Sequence, residues 1–148
     1  MIGWLLDTNV ISTIINPNGA PTVKAWAAAQ NESRFFLSIL ALGEYDKGIY
    51  NLPDDHPNRP RFIAARDGLA ARFAGRIVSL GDAVVRRWGV ISGTTKRLTG
   101  HSPPVIDTLL AATALEHDYI WLPEISPMCG RAERRSSIRG WTIRPTFH

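Results

Sequence analysis

Apolar and polar residues follow two rhythms along this chain. Four short apolar runs, "MIGWLL" from Met1, "RFFLSIL" from Arg34, "RIVSL" from Arg76 and "YIWL" from Tyr119, have the length and continuity of buried strands. Between them the pattern is helical. "VISTIINPNG" reads as a short helix stopped by Asn16-Pro17-Asn18-Gly19, and "TVKAWAAAQ" as an alanine-rich one. "ALGEYDKGIYNLP" is a helix closed by Pro53, and "RPRFIAARDGLAARFAG" brings Phe62, Leu69 and Phe73 near helical spacing. "DAVVRRWGVISGTTKRL" follows, with Asp82 as its candidate cap. "HSPPVIDTLLAATALEH" has proline near its start and little polar surface, which predicts a largely buried helix. Strands alternating with helices predict an α/β fold, a central mostly parallel sheet of about four strands flanked by helices. No internal repeat or linker divides the chain. After "YIWL" the rhythm fails: "PEISPMC" brings two prolines and the single cysteine, Cys129.

Composition narrows the class. At 45% hydrophobic and 20% charged residues, the chain is of ordinary globular type and long enough for one real core. No apolar stretch approaches the roughly 20 residues of a membrane span. The N-terminus has no basic stretch and reaches Asp7 early, so no secretory leader is expected there. A lone cysteine cannot form an internal disulfide and suits a reducing, cytoplasmic setting. The net charge of +4 is unevenly placed. Up to Asp118 there are 12 Lys and Arg against 11 Asp and Glu; from Tyr119 onward there are five Arg against two Glu. Most of the basic excess is thus in the irregular tail, which weakens a nucleic-acid reading based on charge alone.

Three acids fall where an α/β sheet exposes its working edge. Asp7 ends the first strand, Glu44 lies in the helix after the second, and Asp107 opens the helix expected to be buried. Acids gathered at such an edge can hold a divalent cation through hard oxygen ligands or take part in acid–base chemistry. Each also has a structural reading: Asp7 as a helix cap, Glu44 as a solvated helix residue, Asp107 as a cap. Asp107 is set among Val105, Ile106, Leu109 and Leu110, where a charge needs a partner, a metal or a cap role. His101 in a Gly-Ser-Pro loop and His117 at a helix end lack metal-ligand spacing and read as structural. Trp26 and Trp88 read as core, Cys129 has no motif around it, and Arg34, Arg86, Arg87, Lys96 and Arg97 read first as solvated faces.

Taken in order, "LLDTNVIS", "LSILALGEYDKGI" and "PPVIDTLLAATALEHDY" resemble the PIN-domain ribonuclease toxins of VapC type, in the plasmid-stability branch of type II toxin–antitoxin systems. The resemblance runs from Met1 to about Ile120, leaving 121–148 as a divergent tail. It implies that Asp7, Glu44 and Asp107 are catalytic and metal-site carboxylates, with Thr8 and Asn9 in the polar turn that supports the first. It also implies Mg²⁺- or Mn²⁺-dependent endonucleolytic cleavage of RNA, in which the bound ion lowers the pKa of its water and steadies charge on the scissile phosphate. The implied partners are a small DNA-binding antitoxin that masks the site with its C-terminal tail, and further copies in a homodimer or larger assembly.

The tail departs from that family. Where its members run into "ATRN" or "TRD" and later "NPW", this chain has "WLPEI" and "SSIRGWTIRPTFH". The family's fourth polar position falls on Ile125, beside Glu124. Codons can connect the two texts. ATT GTG GCT ACC CGA AAT ATC encodes Ile-Val-Ala-Thr-Arg-Asn-Ile; without one G it encodes Ile120 to Ser126 as they stand. Arg135 to Thr142, read in the same shifted frame, can yield Phe-Phe-Asn-Pro-Trp-Met. One expectation is therefore a one-base deletion near Ile120/Trp121, with a poorly ordered tail and impaired activity. The other is a divergent natural terminus in which Glu124 serves as the fourth acid. Function divides accordingly between an active endoribonuclease toxin and a catalytically impaired PIN domain that only binds its antitoxin. A phosphoacceptor signalling domain fits less well, because "LLDTN" supplies one acid where an adjacent pair is wanted.

Overall fold

The computed structural model describes residues 3–122 together with 137–138 and 141–142. Strand β1 (Gly3–Leu6) leads into helix α1 (Thr8–Ile15) and then α2 (Pro21–Ala29). A 3-10 turn at Glu32–Arg34 precedes β2 (Phe35–Ser38), which passes directly into α3 (Ile39–Tyr50). Then come α4 (Arg59–Arg72), the two-residue β3 (Ile77–Val78), α5 (Asp82–Thr99), α6 (Val105–Glu116) and β4 (Tyr119–Leu122). These four strands form one parallel sheet in the order β3-β2-β1-β4, which is the expected α/β architecture. Strands β5 (Ser137–Ile138) and β6 (Trp141–Thr142) make a separate antiparallel pair.

Alternation along the strands sorts the core onto both faces of the sheet. Leu6, Phe35 and Leu37 point to one face, where Val10, Ile11, Ala27, Ala41, Leu69 and Phe73 from α1 to α4 cover them. Leu5 and Trp121 point to the other face, against Leu110, Ala111 and Ala114 of α6. Helix α6 is in turn covered by α5, through Val84, Ile91 and Ala112. Lying between sheet and helix, α6 is apolar nearly all round, and its buried threonines return their hydroxyls to the backbone. Thr108 donates to the Pro104 carbonyl at 2.5 Å and Thr113 to that of Leu109 at 2.7 Å.

Several expectations shift in detail. The apolar run "RFFLSIL" is split, because the Ser38 hydroxyl accepts the Leu40 amide at 3.2 Å and starts α3 at Ile39. Asp82 is the first residue of α5 and not its cap, a position held by Gly81. Phe62 is 42% exposed, while Leu69 and Phe73 are buried. Burial of α6 begins only at Thr108, leaving Val105, Ile106 and Asp107 exposed. The tail's predicted disorder, Glu124, Ile125 and Cys129 lie outside the described residues.

Candidate active site at the carboxyl edge of the sheet

Asp7 follows the last residue of β1, and its side chain caps α1 by accepting the Thr8 amide at 2.7 Å. The cap and the site reading of Asp7 are therefore compatible. Thr8 and Asn9, expected in a supporting turn, are the first two residues of α1. Thr8 nevertheless supports the site twice, since its hydroxyl donates to Glu44 Oε2 at 2.6 Å. One residue thus orients two carboxylates, a role that no spacing in the sequence reveals. Asp7 and Thr8, with Glu44 across from them, line a small depression walled by Leu6, Leu40, Ala41 and Leu110. The sequence reading missed these apolar walls, although Leu40 and Leu110 stand four and three positions from acids already singled out.

Asp107 lies in the first turn of α6, where the partial positive charge of the helix N-terminus favours it. Its exposure relieves the burial problem its apolar neighbours suggested. Burial raises the Asp7 carboxyl above its ordinary range; the Thr8 amide opposes this, and the charges of Glu44 and Asp107 add to it. The three acids therefore feel one another across the edge. Asp7, Glu44 and Asp107 take no part in any ion pair among the described residues.

Such a donor set fits Mg²⁺ or Mn²⁺ in kind: hard carboxylate oxygens at one edge, with no ion-pair partner among the described residues. Among the described residues no three acids or histidines close into a ready cage. Mg²⁺ commonly keeps several waters and needs only one or two direct carboxylates, so an open set suffices. Register places the end of β4 beside this site, because Leu122 pairs with Leu6 immediately before Asp7.

The remaining candidates are dispersed. His101 is exposed, and His117 ends α6, its ring 5.5 Å from that of Tyr119. Trp26 packs edge-on to Trp4 at 5.1 Å and stacks on Phe35 at 5.7 Å, and Trp88 packs beside Val84 and Ile91, so both serve the core. Arg87 pairs with Glu116 at 2.7 Å, Arg34 is half-buried, and Arg86, Lys96 and Arg97 are exposed.

A parallel sheet with acids at its carboxyl edge defines an α/β domain, and comparison with known proteins gives the family. The pattern of the PIN domain matches residues 4–122, and the chain belongs to that family. It is 28% identical over 113 residues to the toxin FitB of Neisseria gonorrhoeae, covering 76% of this chain and 81% of FitB. The crystal structure of FitAcB from the same organism superposes with a TM-score of 0.66 at 27% identity, covering 80% of this chain and 84% of that one. VapBC-1 from nontypeable Haemophilus influenzae shares the fold, with a TM-score of 0.65 at 21% identity over 82% and 84% of the two chains.

Proposed function

We propose that the chain is the toxin of a type II toxin–antitoxin pair and cleaves RNA endonucleolytically with Mg²⁺ or Mn²⁺. One observation carries the reading. Asp7, Glu44 and Asp107 reach one sheet edge from three separate elements and act on one another there without a neutralising Lys or Arg among the described residues. The likeness to FitB, a toxin, over most of its length supports the biological part. Asp7 and Asp107 would hold the ion, and Glu44 would complete its shell or orient the attacking water. Bound there, the ion would lower the pKa of that water and offset charge on the scissile phosphate. Thr8 keeps Asp7 and Glu44 in place through its amide and hydroxyl. Leu6, Leu40, Ala41 and Leu110 wall one side of the site with apolar surface.

A small DNA-binding antitoxin would cover the acids with its C-terminal tail, and the toxin would act in the cytoplasm as a homodimer or within a larger assembly. The test is Mn²⁺-dependent cleavage of total RNA by the purified chain, beside Asp7→Asn and Asp107→Asn. Loss of cleavage in both variants is the expected result, and equal cleavage by all three overturns the site.

The impaired-domain reading keeps one observation in its favour: the family match ends at Leu122, ahead of the fourth polar position at Ile125. Growth arrest on induction, relieved by Asp7→Asn, would support the active toxin. Antitoxin binding without arrest would support the impaired one.

A further inference from the structure

A sheet edge that carries three carboxylates, two of them lining the depression, repels the RNA it is proposed to cut, so cations must bring the strand in from its rim. Most elements around the pocket provide none. β1, β2, β4, α1 and α6 contain no Lys or Arg, and α3 contains only Lys47, in its last turn. Next to Asp107 the situation differs. Helices α5 and α6 pack side by side and are joined by residues 100–104, which sets the last turn of α5 against the first turn of α6. That last turn carries Lys96 and Arg97, both exposed.

Two further observations go with that position. Arg59, Arg66, Arg72 and Arg87 are held in ion pairs, whereas Lys96 and Arg97, like Lys24, Lys47, Arg61 and Arg86, have no ion-pair partner among the described residues; of these, Lys96 and Arg97 are the two placed at the start of α6. Helix α5 has no acid beyond Asp82 to pair with them. Around them stand aliphatic side chains that the fold leaves in water: Leu98 at 73% exposure, Val105 at 56% and Ile106 at 37%. The helix dipole accounts for cations at this end of α5, but not for the apolar surface beside them.

We infer that Lys96 and Arg97, with Leu98, Val105 and Ile106, form the strand-binding lip of the acid pocket. The two cations take phosphates flanking the scissile one, and the aliphatic side chains take the face of an unpaired base. Only an unpaired base offers such a face, since a base inside a duplex is stacked on both sides. The inference rests on the ribonuclease reading, and its test measures binding so that the two can fail separately.

Fluorescence anisotropy of a short labelled single-stranded RNA is followed across a salt series, with Asp107→Asn in every arm so that the RNA stays intact. Adding Lys96→Glu and Arg97→Glu together is expected to weaken binding about tenfold at low salt. The slope of log affinity against log salt should become shallower by about 1.4, roughly 0.7 for each lost phosphate contact on a single strand. Val105→Ser with Ile106→Ser should weaken binding several-fold without changing the slope. Arg86→Glu, ten residues or about 15 Å back along the same helix, should do little. Unchanged affinity and slope in the Lys96/Arg97 variant overturn the lip, as does an equal loss from Arg86→Glu or no RNA binding by the parent. Strong binding through the lip with no cleavage by the unaltered chain would instead refute the ribonuclease reading alone.

Discussion

Asp7 is held by opposing forces, and both can be read out by replacing a single oxygen. Its carboxylate is half-buried beside two like charges, while the Thr8 amide holds it as the cap of α1. In the unfolded chain this group ionises at its ordinary pKa, near 3.8, and in the fold it keeps its proton to higher pH. Its contribution to stability is therefore full below that pH and is lost as pH rises through the raised native value. At neutral pH the ionised group is a burden, and asparagine retains the capping oxygen without the charge. Asp7→Asn should raise the metal-free melting midpoint at pH 7 by roughly 2–4 °C, with the gain vanishing below about pH 3.8. Scanning both proteins across that range checks it; a gain that persists at low pH would show that the charge is not the cause. Mn²⁺ should reverse the ranking. A metal at about a hundredfold its dissociation constant adds about 2.7 kcal/mol to the form that binds it. The unaltered chain should gain most of that, and Asp7→Asn little.

At the scale of elements, Gly3 shows how one missing side chain seats a strand. An added Cβ would lie 2.7 Å from the Tyr119 ring and 2.9 Å from that of Phe36, which stack across β1 with centroids 4.4 Å apart. Gly3→Ala should therefore cost about 1–3 kcal/mol in denaturant unfolding, by forcing the two rings and their strands apart. A neutral result would mean that the sheet yields more easily than its packing indicates. None of this was legible from sequence, because it depends on which strands become neighbours. Much else was. Apolar runs and helical spacing located the four strands of the main sheet and the six helices, and the order of the three acid-bearing segments pointed to the carboxyl edge of that sheet. The errors came where one local signal competed with another. Ser38 caps a helix inside an apolar run, Gly81 takes the cap that Asp82 seemed suited for, and Phe62 falls on the solvent side of a helix that buries Leu69 and Phe73. Thr8 was expected beside Asp7, but its bond to Glu44 was not, because that partner is 36 positions away.

For the molecule as a whole, the open question is how the carboxyl end of β4 bears on activity. Trp121 is buried against Leu5, Leu110, Ala111 and Ala114, yet its indole N–H finds no acceptor among the described residues. Two small alanines on the facing helix, Ala111 and Ala114, make room for the ring. A gene restored by one base near the Ile120/Trp121 codons would write Thr-Arg-Asn in place of Pro123-Glu124-Ile125, directly after β4 in the sequence. If the deletion reading is right, the restored protein should cut RNA at least about tenfold faster, as expected for regaining one charge-stabilising group at a catalytic centre. Equal rates from the two proteins would favour a natural terminus.

The order of strands in the sheet has a consequence for synthesis. β1 emerges first from the ribosome but lies inside the sheet, and its second neighbour, β4, is made more than a hundred residues later. The three acids belong to β1's end, α3 and α6, so the last of them arrives just before β4 does. A nascent chain therefore cannot assemble the cutting edge while most of it is still being translated. For a protein proposed to destroy RNA, this topology would hold any cleavage back until the last acid and the strand after it had been made.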